Sequence, residues 1–142
     1  MAIRIMTIDD YDGLYALWTS CKGMSLKPRE DSREGIEAFL KRNPDTCFVA
    51  EEDGRIIGSI LVGNDGRRGY IYHTAVAEDM RRRGIASQLV NTAEEALKAA
   101  GIGKSALLAF RDNEEGNAFW AREGYVAREP LIFRIKRLLE PD

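Results

Sequence analysis

Polar and apolar residues alternate at the start of the chain, where Ile3 and Ile5 are separated by Arg4, and this period predicts a short strand. The period then lengthens. Tyr11, Leu14, Tyr15 and Trp18 recur at helical spacing behind Asp9 or Asp10, either of which can cap the helix. The run Cys21–Asp31 (CKGMSLKPRED) carries Gly and Pro and breaks the pattern, so it reads as a loop. Ser32 opens a second helix with Ile36, Phe39 and Leu40 on one face, ending near Asn43-Pro44.

The middle of the chain is rich in β-formers. Runs Thr46–Glu51 and Arg55–Val62 flank Asp53-Gly54, a strong hairpin signal. "GNDGRRGY" marks a second turn, and Tyr70–Val76 supplies the third strand of an antiparallel meander. From Ile85 to Ala100 the spacing is helical again, with Ile85, Leu89, Ala93, Ala96 and Leu97 on one face and Gly101 as the stop. "SALLAF" (105–110) is continuously apolar and reads as a central buried strand. Asn113–Glu123 follows as a short helix, then Tyr125-Val126 and a last strand, Leu131–Lys136. The order β-α-α-β-β-β-α-β-α-β predicts one α+β or mixed α/β domain over residues 1–142, without repeats or linkers.

Composition sharpens this picture only in what it excludes. A 142-residue chain with 44% hydrophobic and 31% charged residues has the balance of a globular protein with one core. Its net charge of −2 makes the triplet Arg81-Arg82-Arg83 a local feature, which argues against a nucleic-acid binder using Arg67, Arg68 and Arg81–Arg83. Two cysteines, Cys21 and Cys47, and a single histidine, His73, cannot assemble a zinc cluster, so no metal is expected. The opening "MAIRIMTIDDYDG" does not read as a signal peptide, and no run approaches eighteen apolar residues, so neither export nor a membrane span is expected. The expected setting is cytoplasmic.

Two glycine-containing segments invite a phosphate-binding reading, and their contexts differ. "GIGKSA" (101–106) contains GKS, but the order there is helix, loop, strand, the reverse of what a phosphate loop requires; it reads as a helix-ending turn. "RRRGIA" (81–86) follows a strand and opens a helix. Gly84 and Ala86 are small enough to let backbone approach a ligand, and first-turn amides with the helix dipole favour an anion. The competing reading is a solvated loop whose arginines meet water and Glu78 or Asp79.

The stretch "HTAVAEDMRRRGIASQLV" resembles the coenzyme A-binding motif of the GNAT superfamily of N-acetyltransferases, [QR]-x-x-G-x-[GA], with Arg81, Gly84 and Ala86 at its defined positions. "DNEEGNAFWAREGY" is similar to the family's second motif, N-x-x-A-x-x-x-Y-x-x-x-G-[FY]. Asn113, Gly124 and Tyr125 match it, while Gly116 stands where Ala is usual and Trp120 where Tyr is usual. The resemblance implies the acyl-CoA N-acyltransferase fold: a central, mostly antiparallel mixed sheet flanked by about four helices, with two strands splayed into a V-shaped opening.

It also implies roles. Acetyl-CoA would be the co-substrate, its pantetheine pairing with backbone at Thr74, Ala75 and Val76 and its pyrophosphate on amides of Arg82, Arg83, Gly84, Ile85 and Ala86. Asn113, Asn117 and Trp120 would flank the thioester arm. An amine would attack directly, with the Val76 amide stabilising the oxyanion. Relatives often protonate the leaving thiolate from the tyrosine that Trp120 replaces; an indole N–H cannot do so. Water or a tyrosine of the third meander strand would substitute, unless the thiolate leaves without an acid.

Tyr70 and Tyr72 share a strand face and are candidates, against the alternative of simple sheet packing. His73 is a candidate base; unbroken alternation would turn it to the opposite face, although a bulge near Ala75 could re-aim its neighbours. Arg67 and Arg68 form either a solvated hairpin turn or a contact to an acidic acceptor or a coenzyme A phosphate. Trp18 and the loop Cys21–Asp31 would roof the pocket of a small-molecule or peptide amine. The rival from another class is a non-catalytic acyl-CoA sensor on the same fold, motivated by Trp120. An exposed sheet edge would permit a homodimer.

Overall fold

Asp53 and Gly54 both take positive φ, 51° and 77°, the backbone that a two-residue hairpin needs to match the twist of its strands. They join β2 (Phe48–Glu52) to β3 (Arg55–Asn64). In the computed structural model, which describes residues 1–140, β1 (Ala2–Ile5) adds to the outer edge of β2 and β4 (Gly69–Val76) to β3, all antiparallel. β5 (Ser105–Leu107) joins β4 in parallel, giving the sheet order β1-β2-β3-β4-β5. Helices α1 (Tyr11–Ser20), α2 (Arg33–Arg42), α3 (Ile85–Ala99) and α4 (Glu114–Arg122) complete the mixed fold.

The sheet has helices on both faces. On one lies α3, whose Leu89 and Ile85 would meet a Cβ at Gly58 at 3.1 and 3.2 Å, so that glycine sets how close the helix packs. On the other lie α1 and α2, with Phe39 edge-on to Tyr72 at 5.7 Å between ring centroids. Trp18 on α1 is 0% exposed, and its indole N–H donates to Ser59 Oγ on β3 at 3.0 Å. Ser32 caps α2 as its sequence suggests, accepting from the Gly35 amide at 3.0 Å. Asp10 does not cap α1: it is buried, binds the Arg4 guanidinium through both oxygens at 2.8 and 3.0 Å, and accepts the Thr7 amide.

Three expectations need correction. The apolar run 105–110 is not a central strand; pairing covers only Ser105–Leu107 at the sheet edge, and Leu108 and Phe110 are exposed. A continuous apolar run reports β-propensity, but strand length is set by the neighbour, and β4 parts from β5 after three residues. Leu131–Lys136 forms no strand: Leu131, Ile132, Phe133 and Ile135 are exposed and have no ladder partner, so among the described residues the element order ends at α4. His73 does not face away from Tyr72. In β4 two residues, Tyr72 and His73, oppose the single Leu61 of β3, since Ile60 pairs with Thr74 and Val62 with Ile71. This bulge breaks the alternation and puts both side chains on the α1/α2 face.

The Trp18–Ser59 bond lies wholly in the core. Ser59→Ala should strand the indole N–H and lower unfolding free energy by about 1–3 kcal/mol, seen in urea as a lower midpoint at unchanged slope.

Candidate active site

The last paired residues of β4 and β5 are Ile71 and Leu107, yet β4 runs on to Val76. Its edge from Tyr72 onward is therefore open on the β5 side. Ala77 donates its amide to Ile57 O at 2.8 Å, so the alternation of backbone groups turns the N–H and C=O of Val76 away from β3 and into the opening. Two side chains meet that carbonyl: Arg81 Nε donates at 3.1 Å and the Cys21 thiol at 3.8 Å. Arg81 thus lies folded back along the end of β4 instead of projecting into solvent.

After β4 a single helical turn, Glu78–Met80, leads into the arginine triplet. Arg82 has φ +66° and Gly84 +74°. For arginine this left-handed backbone costs roughly 1–2 kcal/mol. The N-terminus of α3 has no side-chain cap; Gly84 precedes it, and a Cβ built there meets nothing within 4 Å. The first-turn amides are left for an outside acceptor, and the helix dipole adds positive potential. Ile85, only 4% exposed, ties this turn to the core, while Arg81, Arg82 and Arg83 are exposed. Asp79 forms a two-pronged pair with Arg55, both contacts at 2.9 Å, which, with a smaller contribution from the charge of Arg83, keeps its carboxyl below the usual range.

On the α1/α2 face, at the level where β4 leaves β5, stand Tyr70, Tyr72 and His73. The two phenol rings lie 6.1 Å apart, and Tyr72 is 50% exposed. Partial burial, then the charges of Glu30 and Tyr70, push the Tyr72 phenol up, so it carries its proton at neutral pH and can donate it. His73 Nε2 lies 2.7 Å from Asp31 Oδ1, and the ring packs edge-on against Trp18 at 5.0 Å. Trp18 supports the site from below and, being fully buried, does not roof it as the family resemblance implies. The loop 21–31 does reach the site, through Cys21 at Val76 and Asp31 at His73. Arg67 and Arg68 sit in a turn closed by Asp65, which accepts both their amides.

Beyond β5, Asn113 caps α4 by accepting the Gly116 amide, and Asn117 Nδ2 donates to Phe110 O at 2.9 Å, fixing the segment that leaves β5. Trp120 is half-buried between Phe119 and Tyr125, edge-on to both. Three partners escaped the sequence reading. Asp31 lies 42 positions from His73 and Cys21 lies 55 from Val76, so no local spacing signals either contact. The third is the clasp made by Tyr125, whose hydroxyl donates to Glu94 of α3 at 2.8 Å and accepts from Ser105 of β5 at 2.5 Å.

Burial pushes the Tyr125 phenol up to about 12; the Ser105 bond opposes this and Glu94 reinforces it. The unfolded chain ionises from about pH 10, whereas the folded chain keeps this proton until about pH 12. Stability should therefore fall as pH rises through that window, and Tyr125→Phe should flatten the fall in urea titrations.

The model of the Acetyltransferase (GNAT) family matches residues 11–125. An acetyltransferase of Pectobacterium atrosepticum is 40% identical over 140 residues, covering 99% of this chain and 97% of that one. An acetyltransferase of Sodalis glossinidius is 36% identical over the same length and shares. Among solved structures, the PaiA N-acetyltransferase of Thermoplasma acidophilum in complex with coenzyme A superposes with a TM-score of 0.74 at 19% identity, over 86% of this chain and 87% of that one. With the parted strands and the uncapped helix between them, these matches make the protein an acetyltransferase that belongs to the GNAT family.

Proposed function

We propose that the protein transfers the acetyl group of acetyl-CoA to a primary amine by direct attack, without a covalent enzyme intermediate. The observation that carries this reading is the conjunction of the open Val76 edge with the uncapped N-terminus of α3 a few residues later. An extended pantetheine arm fits such an edge as an added strand would, and a diphosphate fits the free amides from Arg82 to Ala86. The space beside Gly84 fits a ligand that approaches backbone closely. The thioester supplies an acylating carbonyl whose leaving group is a thiolate.

The residues of this chain have the remaining tasks. The Val76 N–H, turned into the opening, is the donor for the oxyanion, and electrostatic stabilisation of this kind is a large term in acyl transfer. Pairing at the Val76 carbonyl requires Arg81 to let go of it, which frees the guanidinium for phosphate oxygens. The amine attacks the carbonyl carbon, the C–S bond breaks, one proton leaves the ammonium and one reaches the thiolate. Trp120 cannot give that second proton; Tyr72, protonated and half-exposed, is the donor this site offers. The acceptor side, with the Tyr70, Tyr72 and Phe39 rings and the nearby carboxylates, suits an amine that arrives as a cation, whether small molecule or peptide.

Calorimetry with acetyl-CoA should show one site per chain, and at 100-fold excess over Kd the ligand should add about 2.7 kcal/mol of stability. Gly84→Ala should weaken that binding about tenfold or more, by placing a methyl where backbone meets phosphate, while costing the free protein about 1 kcal/mol. Released thiol, measured over a panel of polyamines, aminoglycosides and peptides with free α-amino groups, should identify an acceptor. With that acceptor Tyr72→Phe should lower kcat about tenfold or more and leave acetyl-CoA affinity unchanged. Absence of binding heat overturns the reading; binding with no turnover on any amine favours a sensor.

A further inference from the structure

We propose that Asp31 is a positioning residue for His73, holding the imidazole as its Nε2–H tautomer so that Nδ1 is left to take the proton of the acceptor ammonium. The proposal rests on the N-acetyltransferase reading above and adds to it the group that removes the first proton.

The bond itself decides the tautomer. Asp31 Oδ1 lies 2.7 Å from His73 Nε2, and a carboxylate accepts without donating, so the proton of this bond belongs to the ring. Asp31 is held in place independently of His73. It is 6% exposed, its Oδ2 accepts the Lys27 amide at 2.7 Å, and its backbone carbonyl accepts the Tyr11 hydroxyl at 2.6 Å. The ring is fixed from another side by Trp18, itself pinned to Ser59. A carboxylate and an indole thus define the imidazole's plane before any ligand arrives.

The remaining nitrogen is in a useful place. Nδ1 is the ring nitrogen nearer Cβ, so with Nε2 committed to Asp31 the free lone pair lies on the strand side of the ring. That strand is β4 where its edge is open, with His73 two residues past Ile71, the last residue paired with β5, and three before Val76. The bulge is what brings this about, since a regular strand would send His73 to the α3 face. A base oriented by a third group through its other nitrogen is the recurring logic of nucleophile activation. Here the activated nucleophile would be the substrate's own amine.

The substitution Asp31→Asn tests this sharply. The Lys27 amide is a donor and requires the amide oxygen of Asn, which leaves the NH2 facing His73 Nε2. That NH2 can only donate, so the ring proton must move to Nδ1, where it blocks the acceptance of another. His73 is the chain's only histidine, so its two ring nitrogens can be read in a long-range nitrogen–proton NMR spectrum without assignment. In the neutral ring of wild type, Nε2 should carry the proton; in Asp31→Asn the pattern should reverse. With the most active amine of the panel, kcat should fall about 100-fold while KM for acetyl-CoA stays unchanged, a split that loosening of the loop would not give.

A wild-type spectrum with the proton on Nδ1 overturns the proposal and needs no variant to fold. A variant whose tautomer reverses while kcat is undiminished overturns it as well. Failure of the parent reading shows itself separately, as a wild-type protein that turns over no amine; the tautomer spectra then decide Asp31's part alone.

Discussion

The parallel contact between β4 and β5 stops after three residue pairs, and the rest of the site is arranged around that stop. Immediately beyond it comes the bulge at Tyr72–His73, which adds local twist and swings β4 off the line of β5. The absence of a strand partner on the β5 side of Val76 follows from the divergence, and its carbonyl is met by the side chains of Arg81 and Cys21 instead. The placement of α3 follows too, since the chain leaves β4 and within nine residues begins a helix whose amides point back toward the gap.

Such a site is locally unfavourable and must be stabilised elsewhere. A helix start with glycine in the cap position forgoes roughly a few tenths of a kcal/mol relative to a polar cap, and the left-handed Arg82 costs about 1–2 kcal/mol. Against this, α3 buries Ile85, Leu89, Val90, Ala93 and Leu97 on the sheet. Each large apolar side chain removed from water contributes about 1.5–3 kcal/mol, so the helix outweighs its deficient first turn several-fold. Amphipathic packing is what permits the amides to stay free. The Tyr125 clasp acts at the other end of the same device, tying α3 to β5 through Glu94 and Ser105 where the strands still touch.

How much of this was legible depended on whether the signal was local. The hairpin at Asp53-Gly54, the Ser32 cap, the α3 stripe and the Arg81–Ala86 turn are written in spacings of two to four residues, and their elements form where the pattern puts them. Pairing length is not written that way. Nothing inside 105–110 announces that β4 will turn away, so a six-residue run reads as a full strand when three of its residues are paired. The bulge was equally hidden: Tyr72 and His73 look like ordinary alternating positions, and the register of β3 is what crowds them onto one face. The contact between Asp31 and His73 needs the α1–α2 loop folded over β4, a tertiary fact with no trace in local composition.

The substitution of Trp for Tyr in the second motif gains a physical sense from this geometry. Trp120 packs between Phe119 and Tyr125 as part of the wall of α4, and its N–H has no acid–base function. On the proposed reading, proton handling moves across the cleft to β4, where the bulge presents a phenol and an imidazole side by side on the face opposite α3. Donor and acceptor would then approach from different sides of the sheet: the nucleotide end along α3, the amine over α1 and α2. They meet only where the sheet is open, at the β4 edge, so the reacting carbonyl has one place to be. A strand without the bulge would divide Tyr72 and His73 between the two faces and leave the amine side with its phenols but no imidazole.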